Sequence, residues 1–363
     1  MRNKFKYILT LLIIIFLFFI LFNFTNVFIS KIIFNKNFIA ETNNSNNEFN
    51  YTSKIFNFDN FSIGEVVGVS IKNNGNLLFL HRAENNFNSK TIISQDTIIE
   101  INTISGDVVN SFGDYLFVAP HGLFVDKDDN IWITDTQLNK VFKFNSDGNL
   151  KLIIGENYTF GLDFLFLIRN KFHGIDYILD LFYNDYIFAR PTNVFVNSNG
   201  EILVSDGYRN SRIVKFNSQG ELIWELDSYG SREGEFNLVH GVYGDNFDNI
   251  YVVDRSNSRI QVFSNDGEFI KIIGDKYVQR PFSLVIKNDL LYIVDGGDYL
   301  NGGTENLISQ IVILTLDGEL VTSFGSFGNN DFEFILPHDI AVDDLGNIFV
   351  AEVTNKRIQG FYK

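Results

Sequence analysis

Residues 131–135 (IWITD), 202–206 (ILVSD), 250–254 (IYVVD), 291–295 (LYIVD) and 348–352 (IFVAE) are five copies of one short strand. Each body is apolar, with β-branched or aromatic side chains, and each ends on a carboxylate. Turn residues such as Asp-x-x-Gly-Asn stand between them and a preceding strand. A further strand ending on an aromatic follows at 140–144 (KVFKF), 212–216 (RIVKF), 259–263 (RIQVF) and 357–361 (RIQGF). A degenerate sixth copy, 77–81 (LLFLH), carries His81 in place of the acid. Short strands with Gly and Asn turns, recurring at a spacing of about 40 residues or more, are the mark of propeller blades. Six copies predict an all-β, six-bladed β-propeller over residues 53–363. The last copy runs out near Lys363 without an outer strand. Residues 53–58 are expected to supply it, closing the ring and hiding an open sheet edge.

The remaining segments organise around that domain. Arg2, Lys4 and Lys6 precede an apolar run over residues 7–22 that continues to Phe34. A positive flank before a long apolar stretch predicts a transmembrane signal-anchor helix over residues 1–34, with the propeller on the extracytoplasmic side. A cleaved signal peptide is the rival reading. The polar stretch 35–52 reads as a linker. Residues 157–189 interrupt the rhythm between blades two and three and are rich in Phe and Tyr. They could be a lid, a surface resting on the membrane, or a helical hairpin packed on the propeller. The net charge of −15 argues against nucleic acid as a partner, and the lack of cysteine excludes disulfides and thiolate metal sites.

The chain has five histidines. Three of them, His121, His240 and His338, occupy one position of the repeat, at the head of the innermost strand. Aligned blade by blade, that position reads Val67, His121, Thr192, His240, Phe282, His338. The histidines fall in alternate blades, about 120° apart in a sixfold ring. Three imidazoles converging on one axis make a half-open site suited to zinc. A lone histidine at a strand head is usually a satisfied polar residue; three in phase are not explained that way. His81 and His173 do not share the position.

Two positions after the histidine slot stand Val69 in blade one and Leu123 in blade two, whose carbonyls would line the channel one layer down. Asp339 adds a carboxylate there, although it could equally cap a turn. Such oxygen donors suit calcium. The position just after the second strands reads Arg82, Thr136, Gly207, Arg255, Gly296, Val353. Its two arginines, in blades facing each other, form a potential clamp for a substrate carboxylate. Each alone could be an ordinary ion pair. Tyr208, beside Gly207 at a loop mouth, is a candidate acid or base, or a packed rim aromatic.

Residues 116–126 (LFVAPHGLFVD), 191–194 (PTNV), 204–214 (VSDGYRNSRIV), 253–263 (VDRSNSRIQVF) and 336–340 (LPHDI) together resemble the peptidyl-α-hydroxyglycine α-amidating lyase family, NHL-repeat propellers also called peptidylamidoglycolate lyases. The similarity covers about residues 61–363. It implies a carbon–nitrogen lyase that releases an amide and glyoxylate from a peptide or small molecule bearing a carboxylate. It implies catalytic zinc on His121, His240 and His338, and structural calcium on Asp339 and the backbone oxygens of Val69 and Leu123. Tyr208 becomes the base, and Arg82 and Arg255 the substrate-binding arginines. A separate copper monooxygenase is the expected source of substrate. The chain departs from the animal members in lacking disulfides and in carrying Leu336 where they have Met. Two other readings stand beside it: a non-catalytic, membrane-anchored NHL propeller that binds protein or glycan, and a calcium-dependent propeller hydrolase, which three histidines fit poorly.

Overall fold

The computed structural model describes residues 50–58, 61–156, 186–296 and 308–363. Among them are six four-stranded antiparallel sheets, one for each copy of the repeat. The innermost strands are Val66–Ile71, Pro120–Val125, Asn193–Val196, Val239–Gly244, Pro281–Lys287 and Pro337–Val342. The second strands, such as Ile131–Asp135 and Ile250–Asp254, are buried along their whole length. This explains why their sequences lack the apolar–polar alternation of a half-solvated strand: both faces pack against neighbouring blades. The outermost strands, such as Leu222–Leu226, are partly exposed.

The ring closes as the sequence predicts, with a slightly shorter strand. Thr52–Ile55 pairs antiparallel with Arg357–Tyr362, matching Thr52 to Tyr362 and Ile55 to Gln359. Phe56, whose N–H still donates to the Ile358 carbonyl at 3.1 Å, packs on Phe349, their ring centroids 6.3 Å apart. Phe117, Phe144, Phe216 and Phe263 fill the seams between sheets and are all but completely buried. Burial of such a ring contributes about 1.5–3 kcal/mol.

The acid ending each second strand has a defined task. Asp135 accepts the backbone N–H groups of Val118 and Ala119, at 2.8 and 2.9 Å. Asp206, Asp254, Asp295 and Glu352 do the same for Ala189, Asn237, Gln279 and Ile335. Each thereby pins the chain entering an innermost strand. In blade one His81 takes over this work: its Nδ1 accepts the N–H of Ala83 at 3.0 Å and faces that of Gly64 at 3.4 Å. An imidazole accepting through Nδ1 is neutral, and burial pushes its pKa down to about 4.

The expected anchor and most of the linker lie outside the described residues; among the described residues no helix is long and apolar enough to cross a membrane. His173 and residues 157–185 also lie outside them. The described end of the aromatic stretch, residues 186–189, joins blade three. Phe188 is fully buried and its ring lies 5.7 Å from that of Phe216.

Candidate metal centre and active site

His121, His240 and His338 converge: one ring nitrogen from each lies within 4.8 Å of the others. All three residues are buried. A local irregularity aims them. In blade two the ladder pairs Pro120 with Asp135 and resumes at Leu123, passing over His121. In blades four and six it skips His240 and His338 in the same way. Each histidine thus sits in a β-bulge, which turns its side chain off the sheet and towards the axis. Gly122 follows because a side chain there would come within 2.6 Å of the Thr192 carbonyl oxygen of the next blade.

The non-histidine members of the slot complete the arrangement. His121 Nδ1 lies 2.7 Å from the carbonyl of Thr192, His240 Nδ1 2.7 Å from that of Phe282, and His338 Nδ1 2.7 Å from that of Val67. A carbonyl can only accept, so every Nδ1 carries the proton and donates it. Every Nε2 then presents a bare lone pair to the axis. His121 Nε2 and His338 Nε2 stand 3.2 Å apart, and in this tautomer no hydrogen lies between them. Extra protons are disfavoured. Burial and the neighbouring His338 and Arg82 charges push His121 well below the usual imidazole range. Burial and Arg255 do the same to His240, and burial and Arg82 bring His338 down to about 3. Three converging lone pairs with no protons to share fit a bound cation, and a nitrogen donor set of this kind fits zinc.

Tyr208 stands at the mouth. Its hydroxyl lies 3.0 Å from both His121 Nε2 and His240 Nε2. Gly207 lets the loop reach this place, since a Cβ there would lie 1.6 Å from the Val239 carbonyl oxygen. Asp206 anchors the loop through Asn210 and Arg212, at 2.6 and 2.9 Å.

Arg82 and Arg255 share a backbone position: their N–H groups donate to Glu65 and Leu238, each just before the innermost strand. Their side chains differ in company. Arg82 donates from Nη1 to Glu65 at 2.6 Å and from Nε to the Pro120 carbonyl at 3.0 Å. Arg255 has no ion pair with a carboxylate among the described residues. Its guanidinium lies 4.6 Å from the centre of the Phe282 ring and 5.8 Å from that of Tyr208. It is 5% exposed, and burial lowers its pKa to about 10, which still leaves it charged at neutral pH. A buried cation with no protein anion calls for an anion from outside.

One layer down, the Val69 N–H donates to Asp339 Oδ2 at 2.9 Å. Asp339 is buried, forms no ion pair among the described residues, and has its pKa pushed up to about 7 by that burial. Val69 and Leu123 lie on touching strands: a Cβ on Gly68 would meet the Leu123 Cβ at 2.7 Å. A buried carboxylate without a cationic side chain suits a hard cation such as calcium.

The NHL repeat model matches residues 188–216 and 334–361. Rat peptidylglycine alpha-amidating monooxygenase is 31% identical over 322 residues, covering 82% of this chain and 30% of the rat protein. Peptidyl-alpha-hydroxyglycine alpha-amidating lyases 1 and 2 of Drosophila melanogaster are each 28% identical, covering 84% and 83% of this chain and 58% and 72% of their own length. This chain is a relative of the peptidyl-α-hydroxyglycine α-amidating lyases. It spans about a third of the length of the vertebrate amidating enzymes it matches. Among solved structures, a streptogramin B lyase (TM-score 0.53, 15% identity, 87% of this chain and 99% of that one) shares the propeller fold with this lyase relative. So does a gluconolactonase of Xanthomonas campestris, at TM-score 0.55 and 11% identity over 83% of this chain and 86% of that one.

Repeat phase alone assigns the three histidines of this lyase relative to one axis. It does not reveal the bulges, the three carbonyls holding the imidazoles, or Glu65 beside Arg82. Glu65 lies directly before the Val66 that starts the innermost strand, and that place is its only signal.

Proposed function

We propose that this chain is a zinc-dependent carbon–nitrogen lyase that cleaves a peptidyl-α-hydroxyglycine-like carbinolamide into an amide and glyoxylate. The observation that carries the reading is Arg255, a buried guanidinium without a protein anion, placed against Tyr208 and the three-histidine centre. The free α-carboxylate of such a substrate supplies the missing anion. Arg255 binds it, and Arg82, held by Glu65 and Pro120, presents its unpaired Nη2 as a second contact. Two-point binding fixes the hydroxyl-bearing carbon beside Tyr208 and the histidine cluster.

His121, His240 and His338 would hold zinc, which would supply a Lewis acid lowering the pKa of a hydroxyl beside it. Tyr208, acting as its phenolate, then accepts the hydroxyl proton. The electrons of that O–H bond form the new C=O bond of glyoxylate, and the C–N bond breaks with its electron pair passing to nitrogen. Tyr208 returns the proton to that nitrogen, which leaves as a neutral amide. No water is consumed, so the reaction is an elimination and not a hydrolysis. The buried surroundings of the histidines keep the developing charges in a low-dielectric site, where they act strongly.

The reading extends to structural calcium at Asp339, with Val69 and Leu123 as carbonyl ligands, and to a membrane tether through residues 1–34. A separate copper monooxygenase would supply the hydroxyglycine. The test is release of glyoxylate from an N-acyl-α-hydroxyglycine by the purified, zinc-loaded protein. Release that disappears in Tyr208→Phe and Arg255→Ala is expected. A zinc-loaded, folded protein that releases none overturns the reading in favour of a non-catalytic propeller.

A further inference from the structure

The loop after the second strand of blade one is far longer than those of blades two, three, four and six. Between Leu77–His81 and Ile98–Ile101 it runs over residues 82–97, whereas blade two needs only 136–139 and blade six only 353–356. This extra length carries Phe87 to the mouth of the histidine cluster. The Phe87 ring lies 4.8 Å from that of Tyr208, centre to centre, and 6.4 Å from that of His121. The Arg82 guanidinium lies 5.6 Å from its centre. Phe87 therefore meets both a clamp arginine and the tyrosine.

Its backbone is tied down. Gln137, from the corresponding loop of blade two, donates to the Phe87 carbonyl at 3.0 Å, and its own N–H is held by Asp135 at 2.8 Å. Asn85 reaches the carbonyls of Thr91 and Val118, at 2.7 and 3.1 Å. Asn86 and Ser89 close the turn around Phe87. A partly exposed aromatic on a polar loop would ordinarily wander. Here three tethers hold it.

We propose that Phe87 is a positioning residue of the lyase reaction: its ring sets the orientation of Tyr208 and packs on Arg82, keeping base and carboxylate clamp in register across the mouth. The proposal rests on the function above. A tilted aromatic pair and a cation–π contact are each weak, yet both act on groups whose placement governs the rate. Misplacement of such groups by about 1 Å costs on the order of a hundredfold in rate.

The experiment compares wild type, Phe87→Ala and Phe87→Tyr for kcat and KM on N-benzoyl-α-hydroxyglycine, with zinc content and melting temperature measured alongside. Phe87→Ala should lose about ten- to a hundredfold in kcat, with a smaller rise in KM. Zinc content should hold, and Phe87→Tyr should recover most of the rate. Unchanged kcat in Phe87→Ala, or a loss that follows zinc or melting temperature and that Phe87→Tyr does not repair, overturns the proposal. A readout independent of turnover separates this from failure of the functional reading. With 3-fluorotyrosine at position 208, the fluorine resonance should move or broaden in Phe87→Ala and return towards its original place in Phe87→Tyr. A resonance indifferent to Phe87 overturns the positioning role, whether or not the wild type turns over substrate.

Discussion

His338 donates its Nδ1 proton to the carbonyl of Val67 at 2.7 Å, across the seam where the last blade meets the first. The same step joins blade two to three through His121 and Thr192, and blade four to five through His240 and Phe282. A cation on the three Nε2 atoms would therefore draw together three seams of the ring, including the one closed by Thr52–Ile55.

Zinc should accordingly stabilise the fold as well as serve the reaction. A ligand at a hundredfold excess over its Kd adds about 2.7 kcal/mol. The melting temperature of the metal-free protein should rise on zinc addition, and His338→Ala should abolish that rise together with the bound zinc. Calorimetry with metal analysis checks both. An undiminished rise in His338→Ala would remove His338 from the site.

Arg255 and Arg82 should respond oppositely to loss of charge. Arg255→Met removes a buried cation that has no acid partner, so the protein should melt higher while losing lyase activity. Arg82→Met strands Glu65 and should melt lower. Arg255→Lys retains charge but loses planar two-point contact. It should cost about 1.5–3 kcal/mol in transition-state binding, roughly ten- to a hundredfold in kcat/KM. Thermal melts beside steady-state kinetics decide each case.

Asp339→Asn should erase any calcium-dependent gain in stability while leaving zinc content intact. The carboxylate is buried without a cationic side chain, and its pKa of about 7 means that calcium must displace a proton at neutral pH. Calcium stabilisation should therefore strengthen from pH 6 to pH 8. A melting series over that range, with and without calcium, tests the direction.

His81 makes the fold acid-sensitive. Its folded pKa of about 4 lies below the unfolded value near 6.5. The unfolded chain thus binds more protons between those values, and stability falls as pH drops through them. The contribution is fully present above pH 6.5, and about 3 kcal/mol is lost by pH 4. His81→Asn can still accept the Ala83 N–H but does not titrate. Its urea midpoint should decline less steeply between pH 6.5 and 4 than that of the wild type.

The blades were legible in the sequence because their second strands are buried on both faces and end on an acid with one repeated duty. Repeat phase also carried His121, His240 and His338, since equal places in a closed ring share an axis. Phase could not show that the ladder skips each histidine, because a bulge depends on pairing between strands and not on composition. It likewise gave Arg82 and Arg255 one role, although Glu65 makes one a paired charge and leaves the other without an acid. Phe87 escaped because its loop is irregular, and a lone aromatic among Asn85, Asn86 and Asn88 has no period to betray it.

Titration of the metal-free protein with zinc, following benzamide and glyoxylate released from N-benzoyl-α-hydroxyglycine, tests the central claim most directly. The two products should appear in equal amounts, at a rate that rises with bound zinc and levels off at about one ion per chain, the number a three-histidine site holds. Full zinc occupancy without either product, or release that persists unchanged when zinc is stripped from the folded protein, would contradict it.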